Sequence, residues 1–270
     1  QEYTIEQIDT LIENFNYAKG NDINVSIEPS SKEGYSNIIM TNKKKNPFYV
    51  SFSYNNHGND FDTGIYKYTV NAGLEGVLLN EKLDISYTFV QPIKPDRSDN
   101  IDKDERKKAR ENGTLDLKLS FPIGITETSI NYSRSDYKRS VITLAEEIFD
   151  LTGSTDNVGI ESKITVYRKK DKKVKLINEY SYSYKKSKLE DAQIEKSHTH
   201  TIKNGIEYTD SVVQFKNIMT NVIDNKLKHS IAYDGNLEYS YKNSKFILNS
   251  HIAKRDFSLE TKAKLTYKML

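Results

Sequence analysis

Residues Pro47 to Val90 read PFYVSFSYNNHGNDFDTGIYKYTVNAGLEGVLLNEKLDISYTFV, and the reading of this stretch decides the fold. Three segments alternate in turn. Phe48, Val50, Phe52 and Tyr54 share one face of the first, and Tyr49, Ser51, Ser53 and Asn55 the other. In the second, Tyr66, Tyr68, Val70, Ala72 and Leu74 oppose Lys67, Thr69, Asn71, Gly73 and Glu75. In the third, Leu83, Ile85, Tyr87 and Phe89 oppose Lys82, Asp84, Ser86 and Thr88. A period of two is the signature of a strand, because successive side chains leave opposite faces. One face is apolar and the other polar or charged, as in a sheet with an apolar phase on one side and water on the other.

Working outward, the alternation recurs to the end of the chain. Leu115, Leu117, Leu119 and Phe121 alternate with Asp116, Lys118 and Ser120. Val174, Leu176, Tyr180, Tyr182 and Tyr184 share a face, and Leu259, Ala263, Leu265 and Tyr267 share another. The pattern predicts about eleven strand segments after Lys45. The stretch Val212 to Ser240 reads as one strand plus a loop through Asp234-Gly235-Asn236. Loops are expected at Gln91 to Asn112, Val141 to Thr152 and Lys188 to Glu195, with tight turns at Gly76 to Asn80, Pro122 to Gly124 and Lys169 to Lys173. Short connections alternating with long ones suit an outer-membrane barrel, whose turns are short on the periplasmic side and long outside.

Composition agrees. The chain has 270 residues, a formal net charge of +2, 19 tyrosines and no cysteine. No run approaches the roughly 18 apolar residues of a membrane helix. The mean hydropathy of −0.72 leaves a β-barrel open, since lumen-facing residues dilute the average. Basic residues between Asp102 and Arg110 interleave with acidic ones, which cancels the field a nucleic-acid surface needs.

The first 45 residues differ. Ile5, Ile8, Leu11, Ile12 and Phe15 recur at helical spacing, with Thr4 and Gln7 placed as a capping box. Strands follow at Ile23 to Ile27 and Ser36 to Asn42.

These segments carry a resemblance. Asn56-His57-Gly58, Thr63-Gly64, the Gly-Val-Leu-Leu-Asn turn from Gly76 to Asn80, and Gly153-Ser154 opening a strand that runs to Tyr167-Arg168 resemble the barrel hairpins of two-partner secretion transporters, the haemolysin-activator or TpsB family. The chain departs from the family pattern at Asn55, where Asp is usual, at Glu81 after Leu79-Asn80, and at Tyr167-Arg168, where a Pro is missing. Helix, strand, strand, with Glu28-Pro29 and Gly34-Tyr35-Ser36, resembles the closing half of the family's second POTRA domain.

The resemblance implies a mainly β fold. Residues 1–45 are the C-terminal part of a POTRA domain, and residues 46–270 the N-terminal portion of a transmembrane antiparallel β-barrel in the bacterial outer membrane, with the N-terminal part in the periplasm. It also implies a pore that secretes, and in some members activates, a large haemolysin- or adhesin-like exoprotein captured unfolded. The partners are then that client and outer-membrane lipid, with no nucleic acid, and the full-length protein is a monomer. The family's barrel uses roughly sixteen strands, and closed single-chain barrels need an even number. The chain is therefore expected to be incomplete at both ends, forming an open curved sheet with free edges at the strand from Phe48 and at Leu259 to Met269. Two alternatives stand beside this reading: a POTRA-barrel assembly factor, and a soluble β-rich binding module.

Strand addition along Ile23, Asn24, Val25, Ser26 and Ile27 is the candidate mode of client capture, because main-chain hydrogen bonds demand little of the client's sequence; simple packing within the domain accounts for the same residues equally. Tyr68, Val70, Leu83, Ile85, Leu117 and Leu119 are expected to face lipid. No catalytic, cofactor-binding or metal-ligating set emerges. His198 and His200 lie two apart on one face of a strand, a spacing that holds zinc when a third ligand converges, but no third ligand is visible in the sequence, and a position in the polar lumen or a loop is the better reading. Glu146-Glu147 point apart on a strand.

Overall fold

A computed structural model describes residues 4–56, 66–77, 80–91, 112–142, 148–169, 171–224, 229–241, 244–255 and 258–269. The family-motif positions Gly58, Thr63 and Gly64, the connection from 92 to 111, and Glu146-Glu147 lie outside the described residues. Among the described residues no helix is long and apolar enough to cross a membrane.

Helix α1 (Ile5–Phe15) begins as its sequence requires. The Thr4 hydroxyl accepts the Gln7 backbone N–H at 3.3 Å, and the Thr4 N–H donates to the Gln7 side chain at 3.0 Å. This reciprocal box satisfies donors that the helix itself cannot. At the other end Asn16 accepts from the Ile23 N–H at 2.7 Å and donates to the Ile23 carbonyl at 3.1 Å, tying the helix exit to the next strand. Strands β1 (Ile23–Pro29) and β2 (Ser36–Asn42) form a separate antiparallel hairpin with Val25 opposite Met40 and Ile27 opposite Ile38. The helix lays Ile8, Leu11 and Ile12 against Val25, Ile38 and Met40, leaving a shallow apolar groove between them.

Among the described residues twelve antiparallel strands make the second unit, each paired with its neighbours in sequence. They are β3 (Phe48–Asn55), β4 (Tyr66–Glu75), β5 (Lys82–Gln91), β6 (Gly113–Ile123), β7 (Thr126–Ile142), β8 (Ile148–Lys169), β9 (Lys172–Leu189), β10 (Ala192–Thr209), β11 (Val213–Asp224), β12 (His229–Tyr241), β13 (Ser244–Arg255) and β14 (Ser258–Met269). The strand order is the chain order, and among the described residues β3 and β14 each pair on one side only. Among the described residues the sheet is thus open, with β3 at one edge and β14 at the other.

The structure corrects three expectations. Among the described residues there are twelve strands, one more than the segments read from the sequence, because Val212 to Ser240 holds two. Asp234, Gly235 and Asn236 are mid-strand in β12, paired with Ile218, Asn217 and Lys216. Asp234 and Asn236 lie on the polar face, and Gly235 between them lies on the apolar one. Lys188 to Glu195 is not a loop, since β9 and β10 run on to a turn at Glu190-Asp191, with Glu190 at φ 51°. Val141 and Ile142 belong to β7 and Ile148 to Thr152 to β8, paired up to Ile142 with Ile148. At Lys188 to Glu195 polar residues on both faces hide the strands, because they leave no alternation to read.

The register gathers the apolar residues on one face. Val50 opposes Ala72, Ala72 opposes Ile85, Ile85 opposes Leu117, Leu117 opposes Tyr132, Tyr132 opposes Val158, and Val158 opposes Tyr182. Val70, Ile85, Leu119, Ile130 and Val158 are all exposed there. The opposite, concave face is polar and partly ion-paired, with Lys175 to Glu127 at 2.7 Å and Lys203 to Glu179 at 3.0 Å. Ser120 and Ser187 are buried on it. Gly153 also faces this side. A Cβ on it would meet the ring of Tyr137, whose hydroxyl reaches Ser187 at 2.9 Å. The glycine of the Gly-Ser pair is therefore the floor on which an aromatic ring lies flat.

Candidate functional site

The region where function and geometry meet is the seat of the α+β unit on one rim of the large sheet. The turns after β4, β6, β8, β10 and β12 lie at this rim, the end at which β3 begins. The seat has three points of attachment.

The first is the β4–β5 turn. Ala18 is fully buried. The Lys19 N–H donates to the Glu75 carboxylate at 2.8 Å, and the Glu75 N–H to the Pro47 carbonyl at 2.8 Å. Asn21 donates to the Asn80 side chain at 2.5 Å and accepts from Asn42 at 3.0 Å. Asn80 holds φ at 64°, a left-handed conformation that asparagine tolerates better than most residues. Gly20 touches the Glu75 carbonyl so closely that a Cβ would run into backbone. The linker is fixed by the Lys45 N–H to the Gly20 carbonyl at 2.9 Å.

The second is the β6–β7 turn, where Asn14 donates to the Gly124 carbonyl at 2.5 Å. The third is the end of β8. A bulge between Thr165 and Tyr167 shifts the register, and so delivers Arg168 to the helix. Its guanidinium donates to Thr10 at 3.1 Å and to Glu13, which Lys173 also reaches at 2.5 Å. The Arg168 side chain is 9% exposed and Glu13 54%, so one partner is desolvated and the other wet. Burial pushes the Glu13 carboxyl up, but the hydrogen bonds and charges of Lys173 and Arg168 outweigh it and hold the group below the usual carboxylate range.

This predicts a sign. A depressed carboxyl contributes its stability in full above the unfolded pKa of about 4.3 and loses it as pH falls through the lower folded value. Amide exchange of α1, corrected for intrinsic rate, is expected to be flat from about pH 5 to 8 and to rise below about pH 4. Arg168→Ala is expected to weaken the seat by about 1–2 kcal/mol, less than for a fully buried pair because Glu13 is half in water. Exchange in α1 faster than wild type at neutral pH, with strand exchange unchanged, is the expected readout.

Residues 34–256 match the family described as haemolysin secretion/activation protein ShlB/FhaC/HecB. The chain belongs to this family. Its members are outer-membrane transporters of two-partner secretion, not enzymes, and the outer membrane is where this chain resides. Two solved structures are similar. CdiB from Escherichia coli aligns at a TM-score of 0.74 and 15% identity over 94% of this chain and 49% of its own. CdiB from Acinetobacter baumannii aligns at 0.69 and 14% identity over 95% and 48%. The chain thus spans about half the length of those structures, and the likeness shows a shared fold. A search of curated proteins finds no match.

Within this family fold, the sequence-derived positions are distributed as follows. Tyr68, Val70, Leu83, Ile85, Leu117 and Leu119 share the convex face. Gly153 and Ser154 lie side by side on β8, facing opposite ways, and Asn56 ends the described part of the first hairpin. Ile23, Asn24, Val25, Ser26 and Ile27 form β1, whose second edge pairs with nothing among the described residues. His198 and His200 occupy neither lumen nor loop. They stand on the convex face of β10 among Tyr180, Tyr182 and Tyr184, with Nδ1 of His200 at 2.9 Å from the Tyr180 hydroxyl and Nδ1 of His198 at 2.5 Å from that of Tyr182. No metal-holding cluster occurs among the described residues. Periodicity could not reveal the seat, because Gly20, Asn21 and Arg168 act through distant partners. The compressed Tyr167-Arg168 was its one signal.

Proposed function

We propose that this chain supplies the seat and part of the wall of a conduit that secretes a large, unfolded partner exoprotein across the outer membrane, and that the client is haemolysin- or adhesin-like. The observation that carries the reading is the two-faced sheet fixed to an α+β unit at one rim. A wall that is apolar outside and polar inside suits a lipid-surrounded aqueous path, and strands solve the backbone hydrogen-bonding problem in hydrocarbon. In this reading the α+β unit stands at the mouth, on the periplasmic side, a reading supported by its attachment to the rim at which the short turns lie. The connections after β5 and β9, at the opposite end, then face the cell exterior. Client capture falls to the β1 edge, Ile23 to Ile27, and the groove of Ile8, Leu11, Ile12, Val25, Ile38 and Met40 beside it. There main-chain pairing gives affinity and the groove takes apolar side chains.

The test uses the full-length transporter expressed with its partner exoprotein. A photo-crosslinking side chain at Val25 or Met40 is expected to capture the exoprotein in transit, and one at Ile39, on the other face of the hairpin, is not. Deleting the transporter is expected to abolish secretion. Undiminished secretion without it would overturn the reading. An epitope tag at Asp171 is expected to be hidden from antibody on intact cells, and one at Asp191 reached.

A further inference from the structure

Resting on the reading of the sheet as a conduit wall and of β1 as the client's docking edge, we propose that Tyr17 is a positioning residue for secretion: lodged inside the wall under Lys82, it fixes β1 to the lumen so that a captured client passes into the path.

Tyr17 lies in the linker between α1 and β1, yet its neighbours are on the polar face of the large sheet. The Lys82 ammonium stands 4.4 Å from the centroid of its ring, a cation–π contact. Its hydroxyl meets the Ser120 side chain, and Asp84, Glu127 and Lys163 act on it from further off. The register shows why these groups converge. Lys82 opposes Glu75 on β4 and Ser120 on β6, Ser120 opposes Ser129 on β7, and Glu127 opposes Lys163 on β8. Ser120 precedes the end of β6 at Ile123 by a stretch that, at about 3.3 Å per residue and a tilt of about 40°, rises about 7–8 Å above the rim. The ring therefore reaches past the rim into the lumen. It is covered there: Ser120 is 4% exposed, low for a hydroxyl on the water side of a wall, and burial pushes the Tyr17 phenol up.

The residues on either side give the ring its leverage. Asn16 holds both backbone polar groups of Ile23, the first residue of β1, at 2.7 and 3.1 Å. Ala18 is fully buried, and the Lys19 N–H is bound to the Glu75 carboxylate at 2.8 Å. Tyr17 thus stands directly between the tie to the docking edge and the seat, so a shift of the ring is a shift of β1. The seat bonds tie the α+β unit to turns and strand ends, and Tyr17 adds a side chain laid along the inner face of the wall. A ring held between an ammonium and the wall works in place; it need not leave for a client to pass.

The experiment uses the full-length transporter and its partner exoprotein, and measures two quantities: affinity in detergent for the exoprotein diluted from urea, and the rate of its secretion from cells. Tyr17→Ala is expected to cut the rate on the order of tenfold, as small misplacements near a working site do, while the affinity changes by less than about twofold, the split that separates transfer from capture. Tyr17→Phe is expected to keep most of the rate, since the ring and its ammonium remain. Tyr17→Cys/Ser120→Cys is expected to be as slow as Tyr17→Ala, and to recover when a thiol crosslinker about as long as the tyrosine side chain joins the two positions. A Tyr17→Ala rate equal to wild type's, an affinity loss as large as the rate loss, or a crosslinked pair no faster than the uncrosslinked one would overturn the proposal. A heat-modifiable band for each variant shows that it folds as a barrel. Wild type that neither binds the exoprotein nor crosslinks to it from Val25 would instead overturn the capture reading itself.

Discussion

Replacing Val70 by Arg in the full-length transporter is expected to lower the stability of the membrane-inserted state by about 2–4 kcal/mol, the cost of a guanidinium near the bilayer midplane on a barrel's lipid face. Val70 is 38% exposed on the convex face, in the middle of the β4 series Tyr66, Tyr68, Val70, Ala72 and Leu74. The neighbouring change is the control. Asn71→Arg, on the concave face, loses a hydrogen bond to the Ser51 hydroxyl at 3.2 Å, worth about 1 kcal/mol. Its new charge meets water and the ion-paired lumen wall. Urea unfolding from liposomes is the measurement. A cost for Asn71→Arg that equals or exceeds that for Val70→Arg would reverse the assignment of faces.

Gly20→Val is expected to act at the seat rather than in the wall. The added Cβ meets the Glu75 carbonyl, which belongs to β4 and cannot rotate away as a side chain would. The α+β unit must lift, loosening the Lys45 to Gly20 bond and the contacts of Ala18. Overpacking of this kind costs about 1–3 kcal/mol. Because the seat is small, that is expected to free α1 and the linker from 43 to 47 for proteolysis while the barrel stays folded and heat-modifiable. A linker as resistant as wild type's would contradict the seat as drawn.

How much of this was legible in the sequence depends on which residues meet an apolar phase. β3, β4 and β5 alternate cleanly because apolar side chains gather on one face of each, so Phe48 to Tyr54, Tyr66 to Leu74 and Leu83 to Phe89 announce themselves. The extended hairpins of β7 with β8 and β9 with β10 do not, since polar residues such as Lys186, Lys188 and Glu195 occupy both of their faces. There the ladder is held by backbone pairing that leaves no periodic trace. β12 was concealed for another reason: Asp234, Gly235 and Asn236 are turn formers by composition, yet sit mid-strand, with His251 reaching Asp234 at 2.5 Å from β13. The seat was invisible because its partners are far apart in sequence, Arg168 and Thr10 being 158 residues distant. His198 and His200 read as metal candidates by spacing alone, and only the register places them among tyrosines.

The most direct test of the account is a spin-label scan along β4, residues 66–75, of the full-length transporter in liposomes. Accessibility to oxygen, which concentrates in lipid, and to a water-soluble nickel chelate is measured at each position. The account expects a period of two. Oxygen maxima should fall at Tyr68, Val70 and Ala72, and chelate maxima at Lys67, Thr69 and Asn71. The inverse pattern, or accessibility to the chelate at every position, would contradict a lipid-facing wall around an aqueous path.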